Sequence, residues 1–311
     1  MEVISAIDIT KFFDSHKALN GINLSVQQGE IYGLIGPDGA GKTTLIRILN
    51  SLLFADSGKV TVLGLDPVKD MKKLRTKFGY MPGRFSLYQD LSVEENLSLF
   101  ASLFETTITE NHHLIKDIYE QIEPFKKRKT GALSGGMKQK LALSCAMIHK
   151  PEILFLDEPT SGVDPVSRKE FWDMLGKLNN QGLTIFVSTP YMDEAARCTR
   201  ISLIQDGSIL ATGSPEEIIQ KHTEPTYSIK GQHKYRMLTT VRQFKTCKSV
   251  YTFGSELHYT DQLDSFEPVE LLDFLKKEGI EDATISTIDP GIEDIFMKLM
   301  PSSEKPADHE Q

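Results

Sequence analysis

A chain of 311 residues with a net charge of -8 at pH 7 and 40% hydrophobic residues is long enough for a full core and a second, smaller domain. Its acidic balance excludes a broad nucleic-acid surface, so no nucleic-acid partner is expected. The three cysteines, Cys145, Cys198 and Cys247, are scattered and outside metal-ligand spacing, which argues against a disulfide framework or a zinc site and points to the cytosol, while no run approaches the ~18 apolar residues of a membrane span.

In chain order, Val3 to Ile9 and Ala18 to Val26 alternate apolar with polar residues and predict an antiparallel hairpin, with Phe13 in the polar link. An aromatic residue there can stack under a purine or cover a sheet edge, and the residues leave both readings open. The apolar run Ile31 to Ile35 then meets Gly36-Pro37-Asp38-Gly39-Ala40-Gly41-Lys42-Thr43-Thr44, and the periodic run Leu45 to Leu49 follows. Strand, glycine-rich turn and helix in that order make a phosphate-binding loop. The glycines let successive N–H groups and the helix start face one anion, Lys42 reaches the β- and γ-phosphates of ATP, and the Thr43 hydroxyl can ligate Mg²⁺.

Further on, Lys59 to Val62 reads as a strand, Met71 to Lys77 as a short helix, and Phe78 to Met81 as a strand running into Pro82-Gly83. Ser92 and Glu95 form a capping box that opens a helix to about Phe104, with a second helix over about Thr109 to Ile122. The basic run Lys126 to Lys129 is expected as a solvated loop or helix end. Ser134-Gly135-Gly136-Met137 then precedes a long helix, giving another N-terminus with exposed N–H groups. Ile153 to Leu156 fits a strand buried on both faces. Asp157 at its carboxyl end is placed to hold Mg²⁺, and Glu158 to act as general base on a water facing the γ-phosphate.

The order and separation of these three motifs resemble the ATP-binding subunits of ABC transporters over about residues 1 to 220. The resemblance implies an α/β P-loop NTPase fold, with an antiparallel β subdomain and a helical subdomain over about 84 to 150. It further implies that Phe13 stacks on adenine and that Gly36 to Thr44 are the Walker A loop. Ser134, Gly135, Gly136 and Met137 would be the signature offered to a partner's ATP, Asp157 and Glu158 the Walker B pair, and Asp164 part of the D-loop. Two such domains pair head to tail and drive a separate membrane permease, so the expected location is the cytoplasmic face of a bacterial inner membrane. The wording around Phe85-Ser86-Leu87-Tyr88 and Tyr191-Met192-Asp193-Glu194 looks most like multidrug or drug-resistance exporters.

Two positions depart from the family pattern. Gly83 stands where a glutamine is usual and Pro190 where a histidine is usual, and neither supplies a polar side chain. The expectation is a slow Walker site and a heterodimer with a more complete ATPase subunit. A homodimer, a largely noncatalytic subunit and a soluble ABC ATPase of translation or DNA repair are the alternatives. The ATPase domain is expected over 1 to 222, followed by a small α+β domain over 226 to 300 with a packing or dimer-stabilising role. A disordered tail is expected over 301 to 311.

Overall fold

The computed structural model describes residues 1–222 and 224–300, so the expected tail at 301–311 lies outside the described residues. The chain divides into two compact units, one from Met1 to Pro215 and one from Glu216 onward.

The first unit opens with β1 (Glu2–Phe13) and β2 (His16–Gln27), an antiparallel pair extended on the other side of β1 by β4 (Ser57–Val62). The sequence predicts a longer link containing Phe13, but β1 continues through it, and Phe13 pairs with His16 across a turn of only Asp14 and Ser15. Asp56 accounts for the extension, since its carboxylate accepts from Lys11 Nζ at 2.7 Å and from the Phe12 N–H at 2.6 Å. These bonds pin the distal half of the strand, where the β4 pairing ends at Thr10–Ser57.

The main sheet comprises β3 (Ile31–Ile35), β5 (Phe78–Met81), β6 (Ile153–Asp157), β7 (Thr184–Thr189), β8 (Arg200–Gln205) and β9 (Ser208–Gly213), in the order β5-β6-β7-β3-β8-β9. All neighbours are parallel except the edge strand β9. Every residue of β3, β6 and β7 is buried, as a parallel sheet covered on both faces requires. Between β3 and β4 runs α1 (Lys42–Leu49), whose Leu45, Ile46, Ile48 and Leu49 join the core shared with β1, β2 and β3. The strand order fixes the site: the carboxyl ends of four adjacent parallel strands deliver Gly83, Asp157, Pro190 and Gly36 to one edge of the sheet, where ligands of open α/β sheets bind.

Ahead of β5 lies the single-turn helix α2 (Met71–Arg75), and between β5 and β6 lie α3 (Val93–Leu103), α4 (Ile108–Tyr119) and α5 (Gly135–Met147). The capping box read at Ser92 is present, and a second one at Thr107 with Glu110 starts α4 at Ile108. The basic run is a turn whose backbone serves α3: Arg128 and Lys126 carbonyls accept the Val93 and Glu94 N–H groups, two of the helix's orphan donors. After β6 comes α6 (Pro165–Asn180), and after β9 comes α7 (Pro215–Gln220).

The second unit holds β10 (Thr226–Lys230), α8 (Lys234–Val241), β11 (Cys247–Phe253), β12 (Glu256–Asp261), α9 (Pro268–Lys277), β13 (Thr284–Ile288) and α10 (Ile292–Leu299). The sheet order β11-β12-β10-β13 is antiparallel throughout, which makes this a βαββαβ ferredoxin-like domain followed by one helix. Of the eight residues of α8 only Met237, Leu238 and Val241 are buried, too few for the sequence to show a helical stripe. Tyr227, Ile229, Leu257 and Tyr259 face α8 and α9 across one core.

Candidate nucleotide site

The loop after β3 folds as the sequence requires of it. Gly39 and Gly41 adopt φ of 82° and 102°, and a side chain on Gly36 would place a Cβ 2.1 Å from the Ile204 carbonyl. Lys42 is 3% exposed and donates to the Gly36 and Pro37 carbonyls at 2.8 and 2.9 Å. Its ammonium also lies 3.1 Å from Glu158 Oε1. A cavity of about 220 Å³ is lined by Phe13, His16 and Ala18 from the hairpin, by Gly39 and Gly41 to Thr44 from the loop, and by Glu158. Pro37, Asp38 and Ala40 serve the loop's shape and do not line it. Ala40 is buried, with its carbonyl accepting from Gly207 N–H at 3.0 Å.

Beside the cavity, Thr43 Oγ1 donates to Asp157 Oδ1 at 3.1 Å, and Ser188 Oγ donates to the same oxygen at 2.7 Å. Glu158 sits in the left-handed region with φ 49°, a conformation that costs about 1–2 kcal/mol for a residue with a Cβ. Its N–H donates to the Ser188 carbonyl and hydroxyl at 3.0 and 3.1 Å, which holds the strained residue in place. Ser188 therefore orients both acidic residues, a role sequence reading missed because its register opposite Asp157 follows only from the β6–β7 pairing. His16 was also missed; a tighter hairpin turn would have put it opposite Phe13.

The ABC transporter family profile matches residues 19–161. Nod factor export ATP-binding protein I of Rhizobium sp. (strain N33) is 33% identical over 302 residues, covering 95% of this chain and 96% of that protein. The chain belongs to the ABC transporter ATP-binding family. Probable multidrug ABC transporter ATP-binding protein YbhF of Escherichia coli (strain K12) is 37% identical over 295 residues, 91% of this chain but 49% of that protein, so the chain spans about half of its length. Among solved structures, cbiO1 of Clostridium perfringens, part of the ABC transporter complex cbiONQ, superposes with TM-score 0.63 at 26% identity, covering 71% of this chain and 94% of that one. The MJ0796 ATP-binding cassette bound to ADP and Pi gives TM-score 0.61 at 26% identity, covering 68% and 98%.

Within this ABC cassette, Ser134 caps α5 by accepting from the Met137 N–H at 3.3 Å. Gly136 is a packing requirement, since a Cβ there would lie 2.6 Å from Ser167 Oγ. Ser134 and Gly135 are exposed, and neither they nor Met137 line the cavity. Asp164 caps α6, accepting from the Val166 and Ser167 N–H groups at 3.1 and 3.0 Å, and the Ser167 bonds hold its carboxyl below the usual carboxylate range. Gly83 lies against Asp157: its Cβ position would be 3.0 Å from the Asp157 carbonyl and 3.8 Å from its carboxyl carbon. Pro190 follows β7 directly. Glu194, buried in the 3₁₀ turn Met192–Arg197, accepts from Thr189 Oγ1 at 2.5 Å and Thr160 Oγ1 at 2.8 Å, tying the segments before Pro190 and after Glu158 together.

Among the described residues no helix is long and apolar enough to cross a membrane.

Proposed function

We propose that this ABC chain binds and hydrolyses ATP to drive export through a separate membrane permease, docked at the cytoplasmic face of a bacterial inner membrane. The observation that carries the reading is the convergence of Lys42, Thr43 and Glu158 on one cavity that also receives Phe13. The Phe13 ring, 46% exposed, offers adenine a stacking face. Lys42 exchanges its pairing with Glu158 for the β- and γ-phosphates, and the freed carboxylate accepts a proton from the attacking water.

The Thr43 hydroxyl and the Asp157 carboxylate, two hard oxygen donors 3.1 Å apart, fit Mg²⁺. Among the described residues no group of three or more His, Cys, Asp or Glu side chains is placed to hold a metal, so Thr43 and Asp157 would hold the ion together with the bound nucleotide. Bound there, Mg²⁺ supplies neutralisation of charge developing on the transferred phosphoryl group.

The names of the relatives, a probable multidrug transporter protein and Nod factor export proteins, support export. Exposed Ser134 and Gly135, outside the chain's own cavity, suit a head-to-tail pair in which each signature completes the other subunit's site. Because positions 83 and 190 adjoin this chain's own Walker residues, that site lacks the two polar contacts usual in the family. Loss of one preorganised transition-state contact costs ~10²–10³ in rate. We therefore favour a heterodimer in which this chain holds one slow site and lends its signature to a faster one. The test compares ATPase activity of the purified chain alone, mixed with candidate partner ABC ATPase subunits from the same organism, and after Gly83→Gln with Pro190→His. The restored glutamine must displace the Asp157 carbonyl by a few tenths of an ångström, and a gain in turnover is still expected. Robust turnover by the unmodified chain with no gain on restoration overturns the asymmetric reading. No turnover in any mixture favours a noncatalytic subunit.

A further inference from the structure

The sequence shows no site in the ferredoxin-like domain, but its sheet builds one. Side chains alternate across the strands, so Leu257 and Tyr259 of β12 and Val250 of β11 face α8 and α9, while Ser249, Tyr251, His258 and Thr260 face the other way. An antiparallel sheet covered on one face commonly leaves the other to solvent. Here α10 crosses part of that second face, anchored by His258 Nδ1 against Asp294 Oδ1 at 2.7 Å, with Asp294 Oδ2 accepting the Gly291 N–H at 2.8 Å.

Next to α10 the face opens into a cavity of about 250 Å³. Two lysines line it, Lys248 and Lys298, together with His222, whose pKa burial and the neighbouring Lys298 hold below the ordinary histidine value, and one carboxylate, Glu224. That carboxylate is already engaged, with Lys248 Nζ at 2.6 Å from its Oε1. Lys298 is half-buried and, among the described residues, pairs with no carboxylate within 4 Å; its one partner is Thr226 Oγ1 at 3.3 Å. Burial holds its ammonium below the usual lysine range, against the attraction of Glu224 and Asp294. Among the described residues the buried Tyr251 hydroxyl has no hydrogen-bond partner. On a merely solvated face both groups would be wet; an unpaired buried hydroxyl costs about 1–3 kcal/mol unless something pairs with it.

We propose that this cavity is a binding site for a small oxyanion-bearing molecule, a carboxylate or a phosphate, held by the Lys298 ammonium and the Tyr251 hydroxyl. The volume limits the ligand to a small metabolite, since sites for drug-sized ligands run to about 300–1,000 Å³. A lysine ammonium suits either oxyanion as a compact point charge, and no arginine of the cavity selects a planar, bidentate one.

The test uses the full chain with its nucleotide cavity saturated by MgADP, titrated by calorimetry with succinate and with inorganic phosphate. One saturable site for at least one probe is expected, with Kd about 1 mM or tighter. The preferred probe tells a carboxylate ligand from a phosphoryl one. Lys298→Gln weakens binding by about tenfold or more, the loss of a charge-assisted contact. Tyr251→Phe keeps the ring packing; it weakens binding while raising the unfolding temperature of the ligand-free chain, because it removes an unpaired buried hydroxyl. Absence of saturable binding by both probes, or binding unchanged in both variants, overturns the proposal. So does destabilisation of the ligand-free chain by Tyr251→Phe, which would mean that the hydroxyl serves the fold.

Discussion

Lys42 Nζ lies 3.1 Å from Glu158 Oε1, with the two side chains 3% and 23% exposed. The proposed phosphate-binding cation and the proposed general base thus hold each other at the cavity, and on that reading an entering triphosphate parts them. Lys42→Ala is expected to weaken MgATP binding by roughly tenfold or more, about 1.4 kcal/mol at least. Glu158→Gln should slow turnover by ~10²–10⁴ while ATP affinity holds or rises, because the competing carboxylate is gone. Calorimetry and single-turnover hydrolysis check both; unchanged affinity in Lys42→Ala removes the phosphate-loop assignment.

Glu194 ties the segment after Glu158 to the segment before Pro190. Its buried carboxylate accepts from Thr160 and Thr189 and has Arg168 Nε at 3.8 Å. Hydrogen bonds to a charged group contribute about 1.5–3 kcal/mol each, so Glu194→Ala should cost about 3 kcal/mol or more, with partial rescue by Glu194→Gln. The only tryptophan, Trp172, is buried in α6, the helix that carries Arg168, and its fluorescence reads the urea midpoint of this unit.

Two glycines of the phosphate loop separate steric crowding from backbone strain. At Gly36 a methyl group meets the Ile204 carbonyl at 2.1 Å, whereas at Gly39 nothing lies within 4 Å and only the φ of 82° resists a side chain. Gly39→Ala should cost about 1–2 kcal/mol. Gly36→Ala should cost about 3 kcal/mol or more, since the obstacle is backbone of a buried strand. Equal urea midpoints for the two variants would contradict this account of the loop.

His149 couples stability to pH. Its ring stacks on Phe104 with centroids 3.7 Å apart, its Nε2 meets the Phe78 carbonyl at 3.0 Å, and its buried Nδ1 has no partner among the described residues. Burial pushes its pKa below the ordinary value, against the opposing effect of the Phe78 bond. The folded state therefore binds fewer protons than the unfolded one. Stability is fully present above the unfolded value of about 6.5 and is lost as pH falls below it toward the folded value. His149→Phe keeps the stack and removes the titration, so its urea midpoint should fall less than wild type between about pH 7.5 and 5.5.

The sequence alone determined what depends on neighbours along the chain. Glycines around Lys42-Thr43 specify a strand–turn–helix phosphate loop, Ser92 with Glu95 specifies a helix start, and the apolar run before Asp157 specifies a buried strand. Family membership was legible there too, because motif order and separation survive in one dimension. Tertiary structure decided what depends on which strands become neighbours. Only the order β5-β6-β7-β3 sets Gly83 against Asp157 and puts Ser188 beside both acidic residues. Only the pairing of Phe12 with Asp56 carries Phe13 out of a loop and onto a strand end at the cavity. In the ferredoxin-like domain the sequence indicated a small α+β unit, but the half-buried Lys298 comes to the sheet only because α10, about forty residues on, packs onto it through Asp294 and His258. Strand pairing and helix docking are set by burial summed over distant segments, and no local pattern encodes that sum.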